Sequence, residues 1–174
     1  MSITNFEFKA RANNLAELEK KLKKLDPVYK GEDHQIDTYF NVSNGRLKLR
    51  EGNIENALIH YERENAAEAK QSTVLLYQHK PDNTLKQILI KTLGIKIIVD
   101  KTRRIYFIEN VKFHFDTVIG LGTFIEVEAI DATGEIGLEK LKEQCSFYAE
   151  LFDVQPCSYI SYSYSDMLSA ATNS

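Results

Sequence analysis

The chain has 174 residues, 43% hydrophobic and 27% charged, with 8 glycines, 3 prolines and a formal net charge of −3. These proportions exclude a collagen-like chain and argue against full-length disorder. The slightly acidic balance argues against a globally basic nucleic-acid binder, and no apolar run approaches the roughly 18 residues of a membrane span.

In chain order, alternation of Phe with polar residues predicts a strand over Ile3–Arg11. Leu15, Leu18, Leu22 and Leu25 form the stripe of a first helix, which Asn14 and Glu17 start in the manner of a capping box and Pro27 stops. Strands are predicted over Gln35–Asn41, Gly45–Glu51 and Ala57–Glu64, then an exposed loop over Glu64–Thr73 and a strand over Thr73–Lys80. A second helix covers Thr84–Leu93, capped by Asp82 or Asn83 and ended by Gly94. Strands follow over Lys96–Asn110, Val111–Val118 and Thr123–Ile130, with a hairpin connection at Gly120-Leu121-Gly122. A third helix over Glu135–Phe152 carries Leu138, Leu141, Cys145 and Tyr148 on one face, and a short fourth is expected near Ser165. Many antiparallel strands with few helices make an α+β fold, read as one domain over residues 1–170 with a frayed end at 171–174.

The strands place their charges on one face. Side chains alternate along a strand, so Glu7 and Lys9 share a face, as do Lys48 and Arg50, Lys101 and Arg103, Lys112, His114 and Asp116, and Glu126 and Glu128. The opposite positions are large and apolar. A single such strand is ordinary amphipathicity. The repetition points to a closed barrel with a charged interior, its apolar outer face covered by the amphipathic helices. The candidate interior bases are Lys9, Lys48, Arg50, Arg63, Lys101 and Arg103; the acids are Glu7, Asp116, Glu126 and Glu128. Crowded cations call for an anionic ligand, and Arg and Lys suit phosphate oxygens. Clustered carboxylates suit a hard divalent cation such as Mg²⁺ or Mn²⁺. Together they suggest a metal-bound polyphosphate.

The same residues resemble the CYTH superfamily, the group of class IV adenylyl cyclases and thiamine triphosphatases. The family's opening Glu-x-Glu-x-Lys motif stands here as Asn5-Phe6-Glu7-Phe8-Lys9. Further matches are Asp37-Thr38-Tyr39-Phe40, Leu47-Lys48-Leu49-Arg50-Glu51, Arg63, Lys101-Thr102-Arg103, Asp116 before Gly120-Leu121-Gly122, and Phe124-Ile125-Glu126-Val127-Glu128, in the family's order over about residues 5 to 168. The resemblance implies an eight-stranded antiparallel barrel, the triphosphate tunnel. It implies phosphate binding by Lys9, Lys48, Arg50, Arg63, Lys101 and Arg103, with Lys9, Arg50, Lys101 and Arg103 as the catalytic cations. It implies Mg²⁺ or Mn²⁺ on Glu7, Asp116, Glu126 and Glu128. Length and motif spacing look more like the cyclase branch, in which ATP yields cyclic AMP and pyrophosphate. A triphosphatase acting on thiamine triphosphate, a nucleoside triphosphate or tripolyphosphate is the alternative. Members of the family are often monomers or dimers, which leaves a homodimer open. Two departures stand out: Asn5 replaces the first motif Glu, and Ser158–Ser165 contains no Lys or Arg. Asn5 motivates a third reading, a non-catalytic sensor of polyphosphate or nucleotide.

Other signals are weaker. His34, His60, His79 and His114 form no helical zinc pair; His114 shares a face with Asp116, and a structural hydrogen bond is its ordinary reading. Cys145 belongs to a core stripe, and Cys157 carries no nucleophile signature. Lys20–Lys24 reads as a solvated helix face. Tyr159, Tyr162 and Tyr164 read as packing residues, although their rings suit stacking on a base. MSITNFEFKAR has no apolar signal core. The expected protein is cytoplasmic, with no nucleic-acid or membrane partner.

Overall fold

The computed structural model describes residues 2–63 and 70–172, with side chains described for residues 4–62 and 74–172. Eight strands run β1 (Ser2–Arg11), β2 (Val28–Phe40), β3 (Arg46–Gly52), β4 (Ala57–Arg63), β5 (Lys70–Gln78), β6 (Ile95–Ile108), β7 (Val111–Val118) and β8 (Gly122–Asp131). They close into a barrel in the order β1-β5-β4-β3-β2-β6-β7-β8, and every neighbouring pair is antiparallel. Closure pairs β1 with β8, Lys9 opposite Glu126 and Glu7 opposite Glu128. The α+β barrel expected from the alternation is the fold observed.

The helices are α1 (Leu15–Lys23), α2 (Asn83–Leu93), α3 (Leu138–Leu151) and α4 (Tyr164–Thr172), with a single 3₁₀ turn at Pro156–Ser158. The Asn14 side chain accepts from the Glu17 amide at 3.2 Å, and Asp82 accepts from Thr84 at 2.6 Å. Both caps satisfy amides that a first helical turn leaves without partners. Glu17 answers the Asn14 side chain rather than its backbone, so only half of the capping box forms. Leu15 and Leu22 are buried, whereas Leu25 lies beyond the helix and is 41% exposed.

The main apolar core lies outside the barrel wall. Phe8 and Ala10 of β1, Phe113 and Phe115 of β7, and Ile125, Val127 and Ala129 of β8 pack against Leu15 and Leu22 of α1 and Leu141, Cys145 and Tyr148 of α3. Burying each large side chain here contributes about 1.5–3 kcal/mol. Phe113 meets Tyr148 edge to face with centroids 4.6 Å apart. Cys145 is a core residue, 1% exposed, that donates to the Phe6 carbonyl at 3.2 Å; burial pushes its thiol up to about 12. A second core, formed by Tyr39, Val99, Val118, Phe124 and Tyr164, lies where α4 meets the strands. Arg46 holds Asp166 of α4 at 2.7 Å.

Three elements start three or more residues away from the sequence expectation, α3 among them, at Leu138 rather than Glu135. β2 begins at Val28, seven residues before Gln35, because its first half pairs only with β6, from Val28 opposite Phe107 onward. Lys30, Gly31, Glu32 and Asp33 break the apolar alternation there. β5 begins at Lys70, inside the segment read as a loop, whereas residues 64–69 lie outside the described residues. Among the described residues no helix is long and apolar enough to cross a membrane.

Candidate active site

The barrel encloses a cavity of 410 Å³, and its lining falls into three sectors. The first is cationic and belongs to β2, β3 and β6. Asp37 lies at its centre. Arg50, directly opposite on β3, donates Nε to Oδ1 at 2.8 Å and Nη2 to Oδ2 at 2.9 Å. Lys48 Nζ reaches the same Oδ2 at 2.9 Å, and Lys101 Nζ reaches it at 2.7 Å. Burial alone would raise the Asp37 carboxyl; the charges of Arg50, Lys101 and Lys48 overcome it and hold the group well below the usual carboxylate range. Lys101 is 1% exposed. Burial pushes its ammonium down to about 7, and repulsion from Arg50, Arg103 and Lys48 adds to that against the pull of Asp37.

The second sector is acidic and belongs to β1, β7 and β8. Glu7, Glu126 and Glu128 line it, with Lys9, Lys112 and His114 among them. Burial raises Glu128 to about 7, helped by the charges of Glu126 and Glu7. Glu126 goes the other way: burial would raise it, but Lys9, His114 and Arg103 hold it well below its ordinary value. His114 is 1% exposed, and neither ring nitrogen has a hydrogen-bond partner. Burial, with Arg103 and Lys112 nearby, pushes its pKa down to about 3, so the imidazole is neutral. The structural hydrogen bond expected for His114 is not formed. One ligand atom each from His114, Glu126 and Glu128 lies within 4.8 Å of the others, a donor set that fits a divalent metal.

The third sector is mostly apolar, with Ala57, Ile59 and Tyr61 from β4 and Val74 and Leu76 from β5. Asn5 also borders the cavity, and its Oδ1 is buried without a hydrogen-bond partner.

Arg103 joins the cationic and acidic sectors. It stands opposite Asp116 across β6–β7 and donates to both its oxygens, Nε to Oδ1 at 2.7 Å and Nη2 to Oδ2 at 2.6 Å, while Nη2 also reaches Glu126 at 3.0 Å. Tyr164 donates to Asp116 Oδ2 at 2.7 Å, and Lys9 Nζ sits 4.2 Å from the Tyr164 ring centroid. Asp116 is therefore fully occupied behind Arg103 and borders no part of the cavity. The sequence reading places Asp116 among the metal ligands; in the structure the β6–β7 register sets it under Arg103. Tyr164 bears on the cavity as well as packing on Phe124 at 5.0 Å, whereas Tyr162 is exposed.

The structure thus brings together Lys9, Lys48, Arg50, Lys101, Arg103, Glu7, Glu126 and Glu128 around one cavity. Arg63 lies in β4, but its side chain lies outside the described residues. Three charged cavity residues, Asp37, Glu55 and Lys112, carry no role in the sequence reading. Asp37 lies within a matched motif, and Lys112 shares the alternating face of His114, so both had a signal. Glu55 had none: it stands in the four-residue β3–β4 connection and reaches into the lumen. There it pairs with Lys112 and with Arg50 Nη1 at 3.0 Å, and accepts from Gln35 at 3.1 Å. Asp33 fixes the loop by accepting from the amides of Ile54 and Glu55 at 2.9 and 3.0 Å.

A closed antiparallel barrel with an ionic lumen is the class of protein that this fold and lining define. The chain belongs to the CYTH domain family, whose sequence pattern matches residues 4–153. No curated protein matches it significantly in sequence. Among solved structures, a conserved hypothetical protein of Pyrococcus furiosus superposes with a TM-score of 0.78 at 19% identity, over 93% of this chain and 98% of that one. A Vibrio parahaemolyticus protein, provisionally assigned as an adenylate cyclase, gives 0.74 at 20% identity over 95% and 97%. A Hippeastrum protein, also provisionally an adenylyl cyclase and described as having a dominant triphosphatase activity, gives 0.61 at 14% identity over 99% and 96%.

Proposed function

We propose that the protein is a metal-dependent enzyme that takes an organic triphosphate, ATP foremost, into the barrel and cyclises it with release of pyrophosphate. The observation that carries this reading is the separation of the lining. Lys48, Arg50 and Lys101 offer one continuous cationic wall, Glu7, Glu126 and Glu128 offer an acidic one, and an apolar wall from β4 and β5 completes the lumen. Inorganic tripolyphosphate has no use for an apolar wall; the organic half of a nucleotide does.

In this reading Lys48, Arg50 and Lys101 exchange Asp37 for phosphate oxygens, and Lys9 and Arg103 hold the phosphate nearest the acidic wall. These cations are preorganised where charge develops, so little rearrangement is needed during reaction. Glu126 and Glu128, with Glu7 beside them, would hold Mg²⁺ or Mn²⁺. When bound, that ion polarises phosphate oxygens as a Lewis acid. Cyclisation forms a bond from the ribose 3′ oxygen to the α-phosphorus and breaks the bond to the bridging oxygen. Pyrophosphate departs and the hydroxyl proton passes to solvent.

Hydrolysis is a second reading, favoured by one observation: the apolar sector is mainly aliphatic carbon, which orients a ribose less strictly than a hydrogen-bonding wall does. Water needs no such alignment. Phosphorus NMR with Mg²⁺ or Mn²⁺ and separate pools of ATP, thiamine triphosphate and tripolyphosphate tests both readings. Cyclic monophosphate with pyrophosphate from ATP is the expected result. Orthophosphate with a diphosphate would replace cyclisation by hydrolysis. Line broadening with no product in any pool would reduce the protein to a sensor.

A further inference from the structure

His114 is buried to 1% exposure on β7, directly opposite Glu126 of β8. Buried ring nitrogens are normally satisfied by a hydrogen bond; both of this residue's are unpartnered. Nδ1 stands 3.7 Å from Glu126 Oε2 and 3.6 Å from Glu128 Oε1. These separations are too long for hydrogen bonds. They lie a few tenths of an ångström above the roughly 3.0–3.4 Å that separates two ligands each about 2.1 Å from one metal at octahedral to tetrahedral angles, so a small inward shift of the side chains brings the three groups onto one ion.

We propose that His114 is a nitrogen ligand to the metal held by Glu126 and Glu128, and that it biases the site toward Mn²⁺ over Mg²⁺. The proposal rests on the reading of the lumen as a divalent-metal site. Its chemistry is that of the donor set. Magnesium takes oxygen ligands and tolerates few substitutes, whereas imidazole nitrogen suits first-row transition ions. Two carboxylates alone would accept either ion. One imidazole beside them separates the two. The same strand register that sets Lys112 opposite Glu128 sets His114 opposite Glu126, so the imidazole enters the acidic wall by construction of the β7–β8 pair.

The test is pulsed EPR of the protein loaded with Mn²⁺ alone, in natural abundance and with ¹⁵N-histidine. A directly bound imidazole gives a nitrogen modulation that changes with the isotope, and this readout needs neither turnover nor a variant. The expected result is that modulation in the wild-type protein and its loss in His114→Gln. Mn²⁺ affinity in that variant should fall at least tenfold while Mg²⁺ affinity changes less than threefold. Bound Mn²⁺ without nitrogen modulation would overturn the proposal, as would failure of Mn²⁺ to bind at all or an equal loss of both ions in His114→Gln. Triphosphate turnover, followed separately by phosphorus NMR, would survive the first and third outcomes if the proposed function is right.

Discussion

Arg103 and Asp116 face each other across β6 and β7 and are joined by two parallel hydrogen bonds of 2.7 and 2.6 Å, both groups nearly or wholly excluded from solvent. Burial alone would raise the Asp116 carboxyl, but Arg103 lowers it below its ordinary value, and Asp116 with Glu126 holds Arg103 well above its own. This pair fixes the guanidinium where it can also touch Glu126, on the edge of the cavity. Asp116→Asn should therefore destabilise the protein by about 3–5 kcal/mol, because it leaves a buried arginine with one partner fewer. It should also depress activity in a way that raised Mn²⁺ does not rescue, whereas Glu126→Gln should be partly rescued. Urea unfolding and a metal titration of turnover read the two effects. Rescue of Asp116→Asn by metal would return Asp116 to the ligand set.

Phe8 provides the contrast on the same strand as Lys9. It points outward, is 2% exposed and meets Tyr159 edge to face at 5.8 Å. Phe8→Ala should cost about 3–5 kcal/mol of stability. The affinity of the folded fraction for tripolyphosphate should change less than twofold, since the lumen lies on the other face of β1. Denaturant melts beside calorimetric titration below the melting range separate the two. A tenfold loss of affinity would mean that β1 has shifted, and that the two faces are not independent.

These two residues show what was legible in the sequence. Alternation assigns faces, and faces assigned the lumen: Glu7, Lys9, Lys48, Arg50, Lys101, Arg103, Glu126 and Glu128 all border one cavity. Alternation does not give register. Asp116 has the correct face, but only pairing with β6 sets it under Arg103. Asp37 likewise gathers Arg50 from one neighbouring strand and Lys101 from the other, a meeting of residues 64 positions apart. Glu55 was illegible for another reason. Loops carry no alternation, and its approach to Lys112 depends on Asp33 gripping the loop amides from a part of β2 whose polar composition hides the strand.

If the lumen takes a triphosphate as proposed, Lys101 should make its binding depend on pH. With its ammonium lowered to about 7, the free protein holds it largely neutral above that pH. An incoming anion favours the charged form, so binding takes up a proton above about pH 7 and affinity falls as pH rises. Below pH 7 the lysine is already charged and the uptake vanishes. The sign for stability is opposite. The folded pKa lies below the unfolded value of about 10.4, so the unfolded chain binds more protons between the two, and this group's penalty is relieved as pH rises through that window. Calorimetry with tripolyphosphate in buffers of different ionisation enthalpy should show uptake at pH 8 and less at pH 6. Lys101→Met should remove the difference; persistence of the full uptake in that variant would assign the proton to another group or to the ligand.

Glu55 places a carboxylate between Arg50 and Lys112, two cations that border the cavity. Burial would raise its pKa, but Lys112 and Arg50 lower it far enough that it stays ionised at any working pH. A triphosphate that uses these cations must displace it, and hydrogen bonds to charged groups of this kind are worth about 1.5–3 kcal/mol each. Glu55→Gln removes the competing charge and keeps the side chain's size and its reach to Gln35. Tripolyphosphate should then bind about tenfold more tightly, equivalent to about 1.4 kcal/mol, and with a steeper dependence on salt because more net positive charge meets the ligand. Titration at two ionic strengths measures both. Unchanged or weaker binding would show that the carboxylate holds Arg50 and Lys112 in the geometry the phosphate needs, making Glu55 a positioning residue rather than a competitor.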